Sequence, residues 1–89
     1  MRAIVTVVGK DQVGIIAAVC QKLAEFNVNV LDIRQTVMEG YFTMMMVVSV
    51  EGCTVPLAEL IVTMDEMGKS RNLSVRVQRE DIFEAMHRI

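Results

Sequence analysis

Eighty-nine residues, 53% apolar and 22% charged, suffice for one two-layer core and leave no room for a second domain. That balance argues against intrinsic disorder, and a net charge of −2 lacks the basic excess of a nucleic-acid-binding domain. No uninterrupted apolar run approaches the about 20 residues that span a bilayer, and Met1-Arg2-Ala3-Ile4 opens without a signal-peptide core, so a cytoplasmic protein off the membrane is expected.

Arg2 to Val8 is rich in β-branched residues and ends at Gly9, which predicts a strand and a turn. Lys10-Asp11-Gln12-Val13 forms a short polar loop up to Gly14. Ile16, Val19, Cys20, Leu23 and Phe26 then recur at helical spacing, with Gln21, Lys22 and Glu25 on the other side. They predict an amphipathic helix of about 14 residues that stops at Asn27. Val28 to Met38 predicts a second strand, with Leu31, Ile33 and Val37 on one face and Asp32, Arg34 and Thr36 on the other. Glu39-Gly40 interrupts the pattern as a hairpin turn would. Tyr41 to Val50 is the third strand. Its even positions, Phe42, Met44, Met46, Val48 and Val50, are apolar and should face the core.

After the connector Glu51-Gly52-Cys53-Thr54, Pro56 suits the first turn of a second helix. Leu57, Leu60, Ile61, Met64 and Met67 make its buried stripe, while Glu59, Thr63, Glu66 and Lys69 face water. Leu73, Val75 and Val77 alternate with Ser74, Arg76 and Gln78, which predicts a half-buried fourth strand. Asp81 can cap a last short helix bearing Ile82, Phe83, Met86 and Ile89.

This order defines an α+β, ferredoxin-like βαββαβ fold. It is an antiparallel four-stranded sheet with two helices on one face, plus a short C-terminal helix. The expected division is residues 1–79 for the domain and 80–89 for the terminal helix. The uncovered sheet face should carry Asp32, Arg34, Thr43, Met45, Val47, Ser74, Arg76 and Gln78, with Met45 and Val47 as the centre of a contact surface.

Catalytic parts are sparse. The single histidine, His87, reads as a solvated tail residue. Cys20 and Cys53 form no CxxC pair, so neither a metal nor a redox site is expected, and Cys20 reads as a packed thiol. Gly9 and Gly14 are no Walker loop, because Ile15-Ile16 follows. No cofactor is called for. Lys69, Arg71, Arg76 and Arg79 read as a solvated helix end and strand face, and four aromatics give little for RNA stacking. The remaining candidate is the loop Gly9 to Gly14. Free amides at the helix start behind it can hold a carboxylate, Gly14 admits close approach, and Asp11 can accept from an ammonium group. Asp11 equally reads as an ordinary helix cap.

The run Gly-Lys-Asp-Gln-Val-Gly-Ile-Ile-Ala after a strand, then Leu23, then Asn27-Val28-Asn29-Val30, resembles the ACT domain over about residues 2 to 79. The strands at Leu31 to Gln35 and Tyr41 to Met44 look like ACT segments of formyltetrahydrofolate deformylases and glycine-cleavage regulators. The length and the ending Arg79 to Ile89 look more like a family of uncharacterised small bacterial and archaeal ACT proteins. The resemblance implies a non-enzymatic regulatory module that binds an amino acid as a homodimer, between the first loop of one subunit and the second strand of its neighbour. Carried over by motif, Lys10, Asp11, Val13, Gly14 and Ile15 line one wall, and Asn29, Val30 and Leu31 the other, with Asn29 bonding the ligand's polar end. This chain departs from the Asp-Arg-Pro-Gly pattern at Gln12-Val13, and Lys10 favours an acidic ligand. The competing expectation is a ligand-free subunit that docks to a metabolic enzyme or regulator through its open sheet face.

Overall fold

The computed structural model describes residues 1–86. In chain order the elements are β1 (Arg2–Lys10), α1 (Ile15–Glu25), β2 (Asn29–Met38), β3 (Tyr41–Ser49), α2 (Leu57–Ser70), β4 (Leu73–Arg79) and α3 (Glu80–Met86). The strands form one antiparallel sheet in the order β2-β3-β1-β4. The ferredoxin-like architecture expected from the sequence is therefore present, with the short C-terminal helix. The expectations for His87 and Ile89 lie outside the described residues.

Alternation along the central strands divides the sheet into two faces. Ala3, Val5 and Val7 of β1 stand beside Phe42, Met44, Met46 and Val48 of β3 and beside Val75 and Val77 of β4. All are buried, and they share one core with Ile15, Val19 and Leu23 of α1 and Leu60 and Met64 of α2. Each of these side chains larger than that of Ala3 contributes roughly 1.5–3 kcal/mol by leaving water. The opposite face carries Thr6, Val8, Thr43, Met45, Val47, Arg34, Ser74, Arg76 and Gln78, as the register requires. Ile4 lies on this outer face and is buried, yet stands outside the main core cluster. There α3 contacts β1 and β4, and the Arg2 guanidinium pairs with Glu80. The terminal helix thus packs on its own sheet.

Local geometry explains the boundaries. β1 runs past Gly9 to Lys10, because Gly9 pairs with both Phe42 and Leu73. A Cβ on Gly9 would lie 2.6 Å from Leu73 Cδ2, so the close pairing needs glycine. α1 ends in a Schellman arrangement: Asn27 takes φ 59°, its N–H donates to Ala24 O and the Val28 N–H to Leu23 O. Asn27 Nδ2 also donates to Gly52 O at 3.0 Å, which holds the β3–α2 connector against this corner.

Three expected faces shift. Ile61 lies 37% exposed beside the stripe of Leu60 and Met64, while Thr63 is half-buried. In α1 the inward residue of the first turn is Ile15, and Ile16 is exposed. In β2 the register slips between Val30 and Asp32, so Val30 faces Val48 and Ile33 faces Met46. Leu31 is the extra residue of that bulge and does not continue the Ile33–Val37 row. α3 begins at Glu80, two residues earlier than the Ile82 start an Asp81 cap implies, and Asp81 instead accepts from Arg79 and the Ile82 N–H.

Candidate functional site

The loop between β1 and α1 is fixed at both sides. On one side the Asp11 N–H donates to Gly40 O at 2.8 Å, tying the loop to the β2–β3 turn. On the other, Gln12 Nε2 donates to Arg71 O at 3.0 Å, tying it to the α2–β4 turn. Main chain and amide side chain thus hold the loop, and the charged side chains are left over. Among the described residues, neither the Lys10 ammonium nor the Asp11 carboxylate has a hydrogen bond or ion pair.

Gly14 is the N-cap of α1, with φ 87°, and no side chain caps the helix. Asp11 therefore does not act as the ordinary cap that its position allowed. The first amides of α1 receive no side-chain acceptor, which leaves donors for an external carboxylate. A non-glycine residue at Gly14 would be strained by its backbone angle alone, since nothing lies within 4 Å of a built Cβ. Val13 is 98% exposed at the loop tip. Ile15 is 2% exposed and its side chain belongs to the core, so a ligand can meet only its main chain.

Beside this loop lies a cleft of about 960 Å³, lined by Lys10, Asp11, Gln12, Ser70, Arg71 and Asn72. It offers two cations, one carboxylate and several neutral polar groups, a set suited to a small ligand bearing both carboxylate and ammonium. The contribution of Ser70 to Asn72 was not visible in the sequence, where Arg71 reads as part of a basic run. That run does not form one patch: Lys69 pairs with Asp65 at 3.0 Å and Arg79 with Asp81 at 2.7 Å.

The other predicted wall is elsewhere. Asn29 faces Ser49, which in turn faces Arg2, at the start of β1. Lys10, at the end of β1, faces Tyr41. Asn29, Val30 and Leu31 are thus at the opposite end of the sheet from the loop of their own chain. Asn29 and Leu31 are exposed and Val30 is half-buried. Among the described residues no group of His, Cys, Asp and Glu could hold a metal ion, and no helix is long and apolar enough to cross a membrane. Cys20 and Cys53 are free, half-buried thiols packed against the core.

Residues 2–78 match the family described as ACT domain. A UPF0237 protein from Listeria innocua is 46% identical over 89 residues, the whole of both chains. An ACT domain protein from Streptococcus pneumoniae superposes with a TM-score of 0.83 at 44% identity, over 94% of each chain. A formyltetrahydrofolate deformylase from Pseudomonas syringae gives a TM-score of 0.79 at 20% identity, over 88% of this chain and 27% of that one, a likeness of fold.

Proposed function

This chain belongs to the ACT domain family, a common regulatory ligand-binding module, and from that premise we propose that it senses an amino acid as a homodimer and catalyses no reaction. The ligand is held between Lys10, Asp11, Val13, Gly14 and the Ile15 main chain of one subunit and Asn29, Val30 and Leu31 of its neighbour. The observation that carries this reading is the uncapped start of α1 beside an unpartnered Lys10 and Asp11. The ligand carboxylate takes the helix amides, and its ammonium takes Asp11. In this reading a second copy completes the site, because the two walls lie at opposite ends of the sheet within one chain.

A thermal-shift screen over amino acids tests the proposal. A ligand at about ten times its Kd adds roughly 1.4 kcal/mol, or about 6–11 °C in a domain of this size. Asp11→Ala and Asn29→Ala should each abolish the shift. A flat screen across all amino acids removes the sensing role. The reading as a docking subunit draws on Met45, 40% exposed on the outer sheet face near the exposed Val8. A flat screen together with co-purification of one fixed protein partner would favour it.

A further inference from the structure

We propose that the groove between α2 and the free edge of β4 takes an extended segment of another protein as a fifth strand. The residues of that segment alternate apolar and acidic, with the acidic row on the outer sheet face beside Arg76. The inference is independent of the amino-acid site and of the second copy that completes it.

β4 is the edge of the sheet remote from β2 and pairs only with β1. Alternate residues of such a strand direct their main-chain groups to the open side, where they can receive another strand. α2 forms a roof over this edge. Its sheet contacts are chiefly to β4. At Gly68 it comes so near that a Cβ would stand 2.6 Å from Val75 Cγ2. A helix with its side chains reaches about 5–6 Å from its axis, and paired strands lie about 4.8 Å apart. A helix seated over the last strand therefore overhangs the edge by about the width of one strand. The overhanging flank carries Ile61 and Val62, both exposed. Between it and the edge at Val75 to Gln78 lies a groove of about 390 Å³. An apolar roof over open main-chain groups suits an extended chain, whose backbone supplies the hydrogen bonds and whose alternate side chains enter the groove.

Charge selects the occupant. β4 contains Arg76 and Arg79 and no acidic residue. Asp81 holds Arg79 at 2.7 Å. Arg76 is exposed on the outer face and, among the described residues, has no ion pair or side-chain hydrogen bond. Two β4 edges brought together would oppose cations with no anion between the strands, which disfavours a second copy here. The same arginine that repels a like edge attracts an acidic residue placed beside it. The groove side has the opposite bias. Lys69 is taken by Asp65 at 3.0 Å, and Glu66 is left without an ion pair, so this rim is net negative. An acid in the inward row would meet Glu66 and the apolar roof, whereas an apolar residue there covers Ile61 and Val62. The two faces together therefore specify apolar residues inward and acidic residues outward.

Binding of end-blocked peptides of seven residues, the length of β4, tests the proposal on the full chain. One peptide alternates valine with glutamate, and its control alternates valine with lysine. Fluorescence anisotropy should show the glutamate peptide bound about tenfold or more tighter, and Arg76→Glu should invert that order. Val62→Lys separates the groove from charge alone. It adds a cation, yet it should weaken the glutamate peptide about threefold or more, because it removes apolar roof. Both positions are exposed, and circular dichroism verifies that each variant folds. Hydrogen exchange should show the glutamate peptide slowing alternate amides of β4 and leaving those of β2 unchanged. A glutamate peptide that fails to bind at millimolar concentration, binds Val62→Lys more tightly, or protects β2 instead overturns the proposal. Equal binding of the two peptides overturns the acidic preference and with it the choice of occupant. Protection of the β4 edge by the chain alone, as its concentration is raised, also overturns it, since a second copy then fills the groove.

Discussion

The Asp11 N–H and the Gly40 carbonyl, 2.8 Å apart, couple the loop that carries the unpartnered charges to the hairpin turn. The turn is itself demanding. Glu39 and Gly40 have φ of 50° and 82°, both positive, as a two-residue turn between Met38 and Tyr41 requires. Gly40→Ala should cost about 1–2 kcal/mol, because a Cβ is disfavoured there. It should also speed amide exchange at Asp11. Glu39→Asn should raise stability by roughly 0.5 kcal/mol, since Asn tolerates this backbone region. Urea titration and hydrogen exchange read the two effects separately.

Gly68 sets the approach of α2 to β4. A Cβ there would stand 2.6 Å from Val75 Cγ2 and 2.9 Å from the Leu73 carbonyl. The valine methyl can turn aside, but the carbonyl is part of the strand backbone. Replacing Gly by Ala inside a helix normally gains about 1 kcal/mol. Here the overpacking cost, about 1–3 kcal/mol, should match or exceed that gain. Gly68→Ala should therefore fail to stabilise, and net destabilisation should appear as a lower urea midpoint at unchanged slope.

The corner at Asn27 combines two roles that separate by substitution. Its φ of 59° closes the Schellman arrangement, and its Nδ2 donates to Gly52 O. Asn27→Gly keeps the first and loses the second. Asn27→Ala loses both and should cost about 1–2 kcal/mol more than the glycine variant in chemical denaturation.

The sequence made the sheet legible where burial is one-sided. Phe42, Met44, Met46 and Val48 alternate without a break, and so do Leu73, Val75 and Val77, because a strand with one wet face writes its period directly. β2 hid its register for the converse reason. Exposed over nearly its whole length, it has little burial to enforce a pattern, and one inserted residue at Leu31 moves the inward row from Leu31–Ile33 to Val30–Ile33. Ile16 and Ile61 flank the buried stripes and have the same chemistry as the residues inside them. The helical period alone does not say which of two adjacent apolar residues, Ile15 or Ile16 and Leu60 or Ile61, turns inward. The loop at Lys10 to Gly14 was legible by motif. Its cleft neighbours, Ser70 to Asn72, were not, because the pairing of Gly9 with Leu73 brings them there from a distant part of the chain.

Asp81 supplies a pH-dependent anchor for α3. The Arg79 guanidinium, donating from Nε at 3.1 Å and from its terminal nitrogen at 2.7 Å, holds the Asp81 carboxyl below the ordinary aspartate range. Desolvation opposes the guanidinium less strongly, and the Ile82 N–H adds a further, smaller lowering. A carboxyl depressed in the folded state contributes stability that is fully present above its unfolded value and is lost as pH falls through the folded one. The contribution of the local Arg79–Asp81 pair at the start of α3 should therefore fall progressively as pH drops from the ordinary aspartate value through the lowered one. A carbon-detected NMR titration should show the Asp81 side chain with a midpoint below the free-aspartate value, and Arg79→Gln should move it upward. If the Arg79→Gln midpoint stays where it was, the guanidinium is not what holds the proton off, and the anchor must be reassigned to the helix amides.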